Sequence, residues 1–281
     1  MLRESRCQLA DISIATTEFG SVSDSDYSIV YLHGWLDNAA SFTTTMHAVH
    51  QLNPKLHQCA VDLPGHGLSS HKEAGNYYPF HDYIDDLHQF LAILSPNKLL
   101  LVGHSLGALI ASCYSAAFPE QVAALIQIEG NGPLAESSEY SLSRLRGGIT
   151  SRRRIRSKPA RQFSSLNEMI ARRAELNHVS AEQIAPIVQR GSQPAEHGWQ
   201  LRHDRKLQSD SLYRMSPAHA DEIRQHIVCP QLVILGSNGY PSLQQVSDTL
   251  ADVVVLDGGH HCHLEQPEQV ALEILALVNK I

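Results

Sequence analysis

Gly103-His104-Ser105-Leu106-Gly107 fits the pattern G-x-S-x-G. A serine in that pattern is placed for nucleophilic attack when a buried strand leads into it and a helix leads away, because the sharp turn leaves its hydroxyl at the tip. The flanks fit. Lys98-Leu99-Leu100-Leu101-Val102 reads as a buried strand, and Ala108-Leu109-Ile110-Ala111-Ser112-Cys113 reads as a helix. A serine hydroxyl is a weak nucleophile until a base takes its proton. With 17 histidines in the chain, composition does not choose the base, but position does. Gly258-Gly259-His260-His261-Cys262-His263 follows the last apolar strand, at the sheet end where catalytic groups of open α/β sheets collect. His260, the first residue after two glycines, is the candidate base, and His263 is the alternative. The tetrahedral oxyanion needs N–H donors, for which the backbone groups of Leu106 and Trp35 are the candidates.

The same histidine run has the composition of a metal box. Adjacent residues rarely converge on one ion, and no ligand at i+4 on a helix supports the run. Neither a metal nor a cofactor is therefore expected.

These groups require a particular scaffold. Ser28–Leu32, Gln58–Asp62, Ala123–Ile128, Gln231–Leu235 and Asp252–Leu256 each read as a short apolar strand. Between them, Tyr83, Leu87, Phe90, Leu91 and Leu94 recur at helical spacing, and Pro267 opens a C-terminal helix with Val270, Ile274 and Leu277 on one face. Strands alternating with helices predict a mostly parallel central sheet with helices on both faces. The stretch 131–221 offers no convincing buried strand and is rich in Arg, Ser and Gln. It reads as a helical cap inserted into a core made of 1–130 and 222–281.

Composition narrows the function classes. At 281 residues and 43% hydrophobic, the chain can bury a large core. A net charge of −7 disfavours nucleic acid or an anionic membrane as partner and leaves a small-molecule substrate. Five scattered cysteines without a C-x-x-C pair read as reduced thiols, and no apolar run suits a signal peptide or a membrane span. The expectation is a cytoplasmic protein.

Four segments in order, His33-Gly34-Trp35, Asp62-Leu63-Pro64-Gly65-His66-Gly67-Leu68-Ser69, Gly103–Gly107 and Gly259–Pro267, resemble the α/β-hydrolase superfamily. The stretch from His33 to Phe42 and the doubled histidine resemble its serine hydrolase-like proteins. The resemblance covers the chain apart from the cap. It implies the α/β-hydrolase fold and a Ser-His-acid triad, with Ser105 and His260 at the family positions. One departure concerns the acid. Members commonly carry Asp shortly after the strand that is Gln231–Leu235 here, but this chain reads Gly236-Ser237-Asn238-Gly239, with Gly239 at the expected position. The superfamily's alternative places the acid at the end of the strand after the nucleophile helix, which is Glu129 here. The competing reading of Glu129 is a solvated strand end or a helix cap. Asp257 is expected to point away from the ring.

Other residues have plainer readings. Asp62 and His66 read as turn-formers, and Asp37 as the cap of a helix beginning near Ala39, with a place lining the site as its alternative. The Arg152–Lys158 run reads as solvated surface, with recruitment of an anionic substrate as the alternative. Trp199 and Tyr213 read as packing residues, with a roof over the pocket as the alternative. The implied activity is hydrolysis of a carboxylic ester or thioester through an acyl-Ser105 intermediate. Carbon–carbon bond hydrolysis, perhydrolysis and non-catalytic ligand binding are the alternatives.

Overall fold

The computed structural model describes residues 1–244 and 250–281. The core strands and helices alternate as the sequence predicts. In chain order they are β1 (Arg3–Gln8), β2 (Ser13–Phe19), β3 (Tyr27–Leu32), α1 (Thr43–Leu52), β4 (His57–Val61), α2 (Asp82–Leu94), β5 (Lys98–His104), α3 (Leu106–Ala117) and β6 (Val122–Ile128). An insertion follows, with α4 (Ser141–Ser157), β7 (Gln162–Phe163), α5 (Leu166–Asn177), α6 (Ala181–Arg190), β8 (Ser192–Ala195) and β9 (Gly198–Leu201). The chain then returns through α7 (Pro217–Gln225), β10 (Gln231–Gly236), α8 (Pro241–Gln244), β11 (Asp252–Leu256), α9 (Cys262–Glu265) and α10 (Pro267–Val278).

Eight strands form one sheet in the order β1-β2-β4-β3-β5-β6-β10-β11. The pairs β1–β2 and β2–β4 are antiparallel, and the other five are parallel. β5 explains why a central strand here is apolar at consecutive positions. Leu99 and Leu101 face one core with Leu87, Phe90, Ile110 and Tyr114 of α2 and α3. Leu100 and Val102 face the other, with Met46 and Val49 of α1 and Val270 and Ile274 of α10. Both faces are covered, so the alternation of a half-exposed strand disappears.

The insertion differs from the sequence reading. It contains helices, but also a three-stranded antiparallel sheet in the order β7-β9-β8. Strands of two to four residues are too short to show a period. Phe163, Met169, Ile184, Ile187 and Val188 of this segment form a small core with Leu264 of α9, and Trp199 packs onto it. Tyr213, in contrast, is 60% exposed and is not a packing residue. Local caps fix its helices. Ser165 accepts from the Glu168 N–H at the start of α5, and Ser180 with Gln183 forms a capping box on α6.

Polar contacts tie this insertion to the core. The Asp62 carboxylate, fully buried, accepts from the backbone N–H groups of Ala39 and Leu68 and from Arg190 of α6 at 3.0 Å. Asp62 thus forms its turn and also anchors α6. Asn38 donates to the Ile187 carbonyl, and the Trp35 indole donates to that of Leu207. Within the arginine run, Arg152 stacks on the Tyr77 ring at 3.8 Å and Arg156 donates to its hydroxyl. No helix among the described residues is long and apolar enough to cross a membrane.

Candidate active site

Ser105 sits between β5 and α3 with φ 50° and ψ −114°. A residue with a side chain rarely adopts this conformation, which costs about 1–3 kcal/mol. The surroundings enforce it. The Ser105 N–H donates to the Ile128 carbonyl, and its own carbonyl accepts from Ala108 and Leu109. Gly107 lets the turn close, since a Cβ there would overlap the Leu32 carbonyl. The backbone N–H groups of Trp35 and Leu106 enter no hydrogen bond outside the regular elements among the described residues.

His260 lies on the loop after β11. The start of that loop is held by the Gly259 N–H donating to Glu265 and by the Asn238 N–H donating to the Gly258 carbonyl. His104, the neighbour of Ser105, donates through Nε2 to the His260 carbonyl at 2.8 Å. The elbow and the histidine loop are therefore joined directly.

Glu129 closes β6 with φ 48°, another left-handed conformation, and is 2% exposed. Its Oε1 accepts from the Gly236 N–H at 2.8 Å. Its Oε2 faces the Tyr240 N–H at 3.1 Å and His260 Nδ1 at 3.2 Å. Burial pushes the Glu129 carboxyl up, but the hydrogen bonds from His260, Gly236 and Tyr240 outweigh it and hold the pKa below the ordinary 4.5. An ionised carboxylate can only accept, so His260 carries its proton on Nδ1 and leaves Nε2 as the basic nitrogen. Asp257 is exposed and accepts from Ser237, away from this ring.

Gly239 explains why no acid stands at the later position. A Cβ on Gly239 would collide with the Glu129 carboxylate. The two positions address the same space, so only one can carry the acid. Gly239→Ala is expected to displace Glu129 and to destabilise the fold by about 1–3 kcal/mol. Thermal melting checks this, and an unchanged melting temperature would contradict it.

The other histidines and cysteines of the region are not equivalent to His260. His263 is fully buried, bonds Ser41 at 2.7 Å, and is pushed by burial down to about 3. It is a packing residue rather than a base. Burial pushes the Cys262 thiol up to about 12, which removes it as a competing nucleophile. His33 and His66 shape the Trp35 loop. The Leu63 N–H donates to His33 Nε2 and the Leu36 N–H to His66 Nε2, while the Nδ1 atoms donate to the carbonyls of Gly34 and Pro64.

Burial holds both of these imidazoles below the ordinary 6.5, His66 well below. The unfolded chain takes up these protons as pH falls through 6.5, and the folded chain does not. The stability they confer is present above 6.5 and is lost on acidification, at about 1.4 kcal/mol per pH unit for each group. The melting temperature is therefore expected to fall steeply from about pH 7 to about pH 5.5. A flat profile would contradict the buried neutral state.

Asp37 corrects the sequence reading. The cap of the short helix at Ala39 is Asn38, whose side chain accepts from the Ala40 N–H. Asp37 is instead buried and bonded to Arg173 at 2.7 Å and His261 at 3.2 Å. Two adjacent capping residues were a usable hint, since only one can cap.

Comparison with known proteins agrees with this fold. The model of the Alpha/beta hydrolase family matches residues 29–273. Human serine hydrolase-like protein 2 is 29% identical, over 92% of this chain and 88% of that protein. The crystal structure of a hypothetical protein from Pseudomonas aeruginosa PAO1 is 28% identical, covers 98% of both chains and gives a TM-score of 0.87. A thioesterase domain from the curacin biosynthetic pathway shares the fold, with a TM-score of 0.84 at 24% identity over 98% of this chain and 99% of that domain. With the elbow, the sheet order and the family match in agreement, the chain belongs to the alpha/beta hydrolase family.

Proposed function

We propose that the protein is a serine hydrolase that cleaves a carboxylic ester or thioester of a small molecule. The observation that carries this reading is the Glu129 carboxylate, which receives His260 Nδ1 and two backbone N–H groups and so fixes one imidazole tautomer. Ser105 Oγ attacks the substrate carbonyl while His260 Nε2 takes its proton. The N–H groups of Trp35 and Leu106 receive the oxyanion. The tetrahedral intermediate collapses, His260 returns the proton to the departing alcohol or thiol, and the acyl group stays on Ser105. Water then attacks the acyl carbon with His260 again as base, releasing the acid and restoring Ser105. Glu129 stabilises the imidazolium in both halves without itself taking the proton.

Residues 131–221 act as the cap that limits water access to this chemistry. Support comes from the ties of this segment to the site loop, through Trp35, Asn38 and Arg173. The curacin neighbour is named a thioesterase, which suits a thioester arm in the substrate panel.

The test is rapid mixing with p-nitrophenyl esters of increasing acyl length and with matching acyl thioesters. The expected result is a burst of about one equivalent of leaving group per chain, with the acyl mass found on the Ser105 peptide. Binding of the esters without turnover or adduct would favour a ligand-binding role.

A further inference from the structure

Beside Ser105 and His260 in the chain stand members of a second cluster that the proposed chemistry does not use. Asp37, His104 and His261 are all buried, and one ligand atom from each lies within 4.8 Å of the others. They come from three separate loops: one after β3, the elbow itself, and the loop after β11. Read as a linear run, residues 260–263 place no metal. The fold supplies Asp37 and His104 from elsewhere.

The hydrogen bonds around the cluster leave one pair of acceptors facing each other. His104 Nε2 donates to the His260 carbonyl at 2.8 Å. In the neutral ring the lone pair is then on Nδ1. That Nδ1 is buried, has no hydrogen-bond partner, and lies 3.8 Å from Asp37 Oδ2. An imidazole lone pair and a carboxylate oxygen repel in a buried site unless a cation lies between them. His261 Nε2 donates to the same Oδ2 at 3.2 Å. Arg173 donates to Oδ1 at 2.7 Å, so Oδ2 faces only the two imidazoles, and an ion there would take the place of the His261 hydrogen bond.

Space and outer contacts agree. Gly34 borders the gap, and a Cβ on it would sit 2.8 Å from His104 Nδ1 and 3.4 Å from Asp37 Oδ2. The missing side chain leaves room beside both atoms. Two imidazoles and a carboxylate are a donor set that zinc-class ions take. Ligating histidines characteristically donate their second N–H to a backbone carbonyl, as His104 does here. The Asn177 amide nitrogen lies 3.2 Å from both ring nitrogens of His261 and holds that ring beside Asp37.

We propose that Asp37, His104 and His261 form a binding site for one divalent transition-metal ion of the zinc class. It lies one residue from both the candidate nucleophile and the candidate base. The ion bridges the elbow to the histidine loop, and this inference does not depend on the hydrolytic reading.

The test uses the full chain stripped with a chelator, incubated with Zn²⁺ and dialysed, with metal content measured per chain. One retained equivalent is expected, with a rise in melting temperature of about 5 °C at a hundredfold excess of Zn²⁺ over Kd. Both effects should be lost in His261→Gln and in Asp37→Asn, with circular dichroism confirming that each variant is folded. Co²⁺ added to the wild type gives a readout independent of any variant. The intense visible bands of a four-coordinate nitrogen and oxygen site are expected. Failure to retain zinc, retention equal in wild type and folded variants, or only the weak spectrum of six-coordinate Co²⁺ would each overturn the proposal. Equal retention would place the ion on other histidines.

Discussion

Ser105→Ala is expected to lower kcat toward an activated acyl ester by about 10⁶-fold, the scale on which removing a triad nucleophile acts. The Cys262 thiol cannot take over, because it is buried and held protonated. The fold should not change, since alanine at φ 50° carries the same backbone strain as serine. Ser105→Gly should be equally inactive but more stable, by about 1 kcal/mol, because glycine accepts this conformation without steric cost. Steady-state rates and thermal melts on the two variants separate the chemistry from the strain. An active Ser105→Ala protein would remove Ser105 from the mechanism. A Ser105→Gly protein no more stable than the wild type would remove the strain argument.

Glu129→Gln is expected to lower kcat by about 10⁴-fold, the loss seen when a triad acid becomes an amide and the imidazole adopts the wrong tautomer. The amide also turns an N–H toward one of the three donors that now meet the carboxylate. The collision between a Gly239 Cβ and Glu129 allows a sharper version. In the double variant Glu129→Ala/Gly239→Asp, the acid enters the same space from the other loop. It is expected to recover part of the activity lost in Glu129→Ala, as measured by kcat on one ester. No recovery in a folded double variant would mean that position 239 cannot direct a carboxylate to His260 Nδ1.

The parts of this site that were legible in the sequence are those fixed by local rules. The elbow needs Ser105 between a strand and a helix, and both elements are strongly apolar. Glu129 became the candidate acid because a charge ends an otherwise apolar strand, and its buried contact with His260 was beyond what the sequence could show. The edge of the sheet was not legible. β1 is Arg-Glu-Ser-Arg-Cys-Gln, a largely exposed strand with no apolar alternation, held by pairing to β2. The Asp37 cluster was hidden for a different reason. Its members lie at 37, 104 and 261, and only the return of the loops to one sheet end brings them together. The Asp62–Arg190 pair spans 128 positions and depends on how α6 docks, which no local pattern encodes.

The most direct test of the central claim is reaction of the purified chain with a fluorophosphonate probe, followed by peptide mapping. The account expects one adduct per chain, on Ser105. The adduct should be absent in Ser105→Ala and form far more slowly in Glu129→Gln. A folded wild-type chain that stays unlabelled, or that carries the probe on another residue, would contradict it.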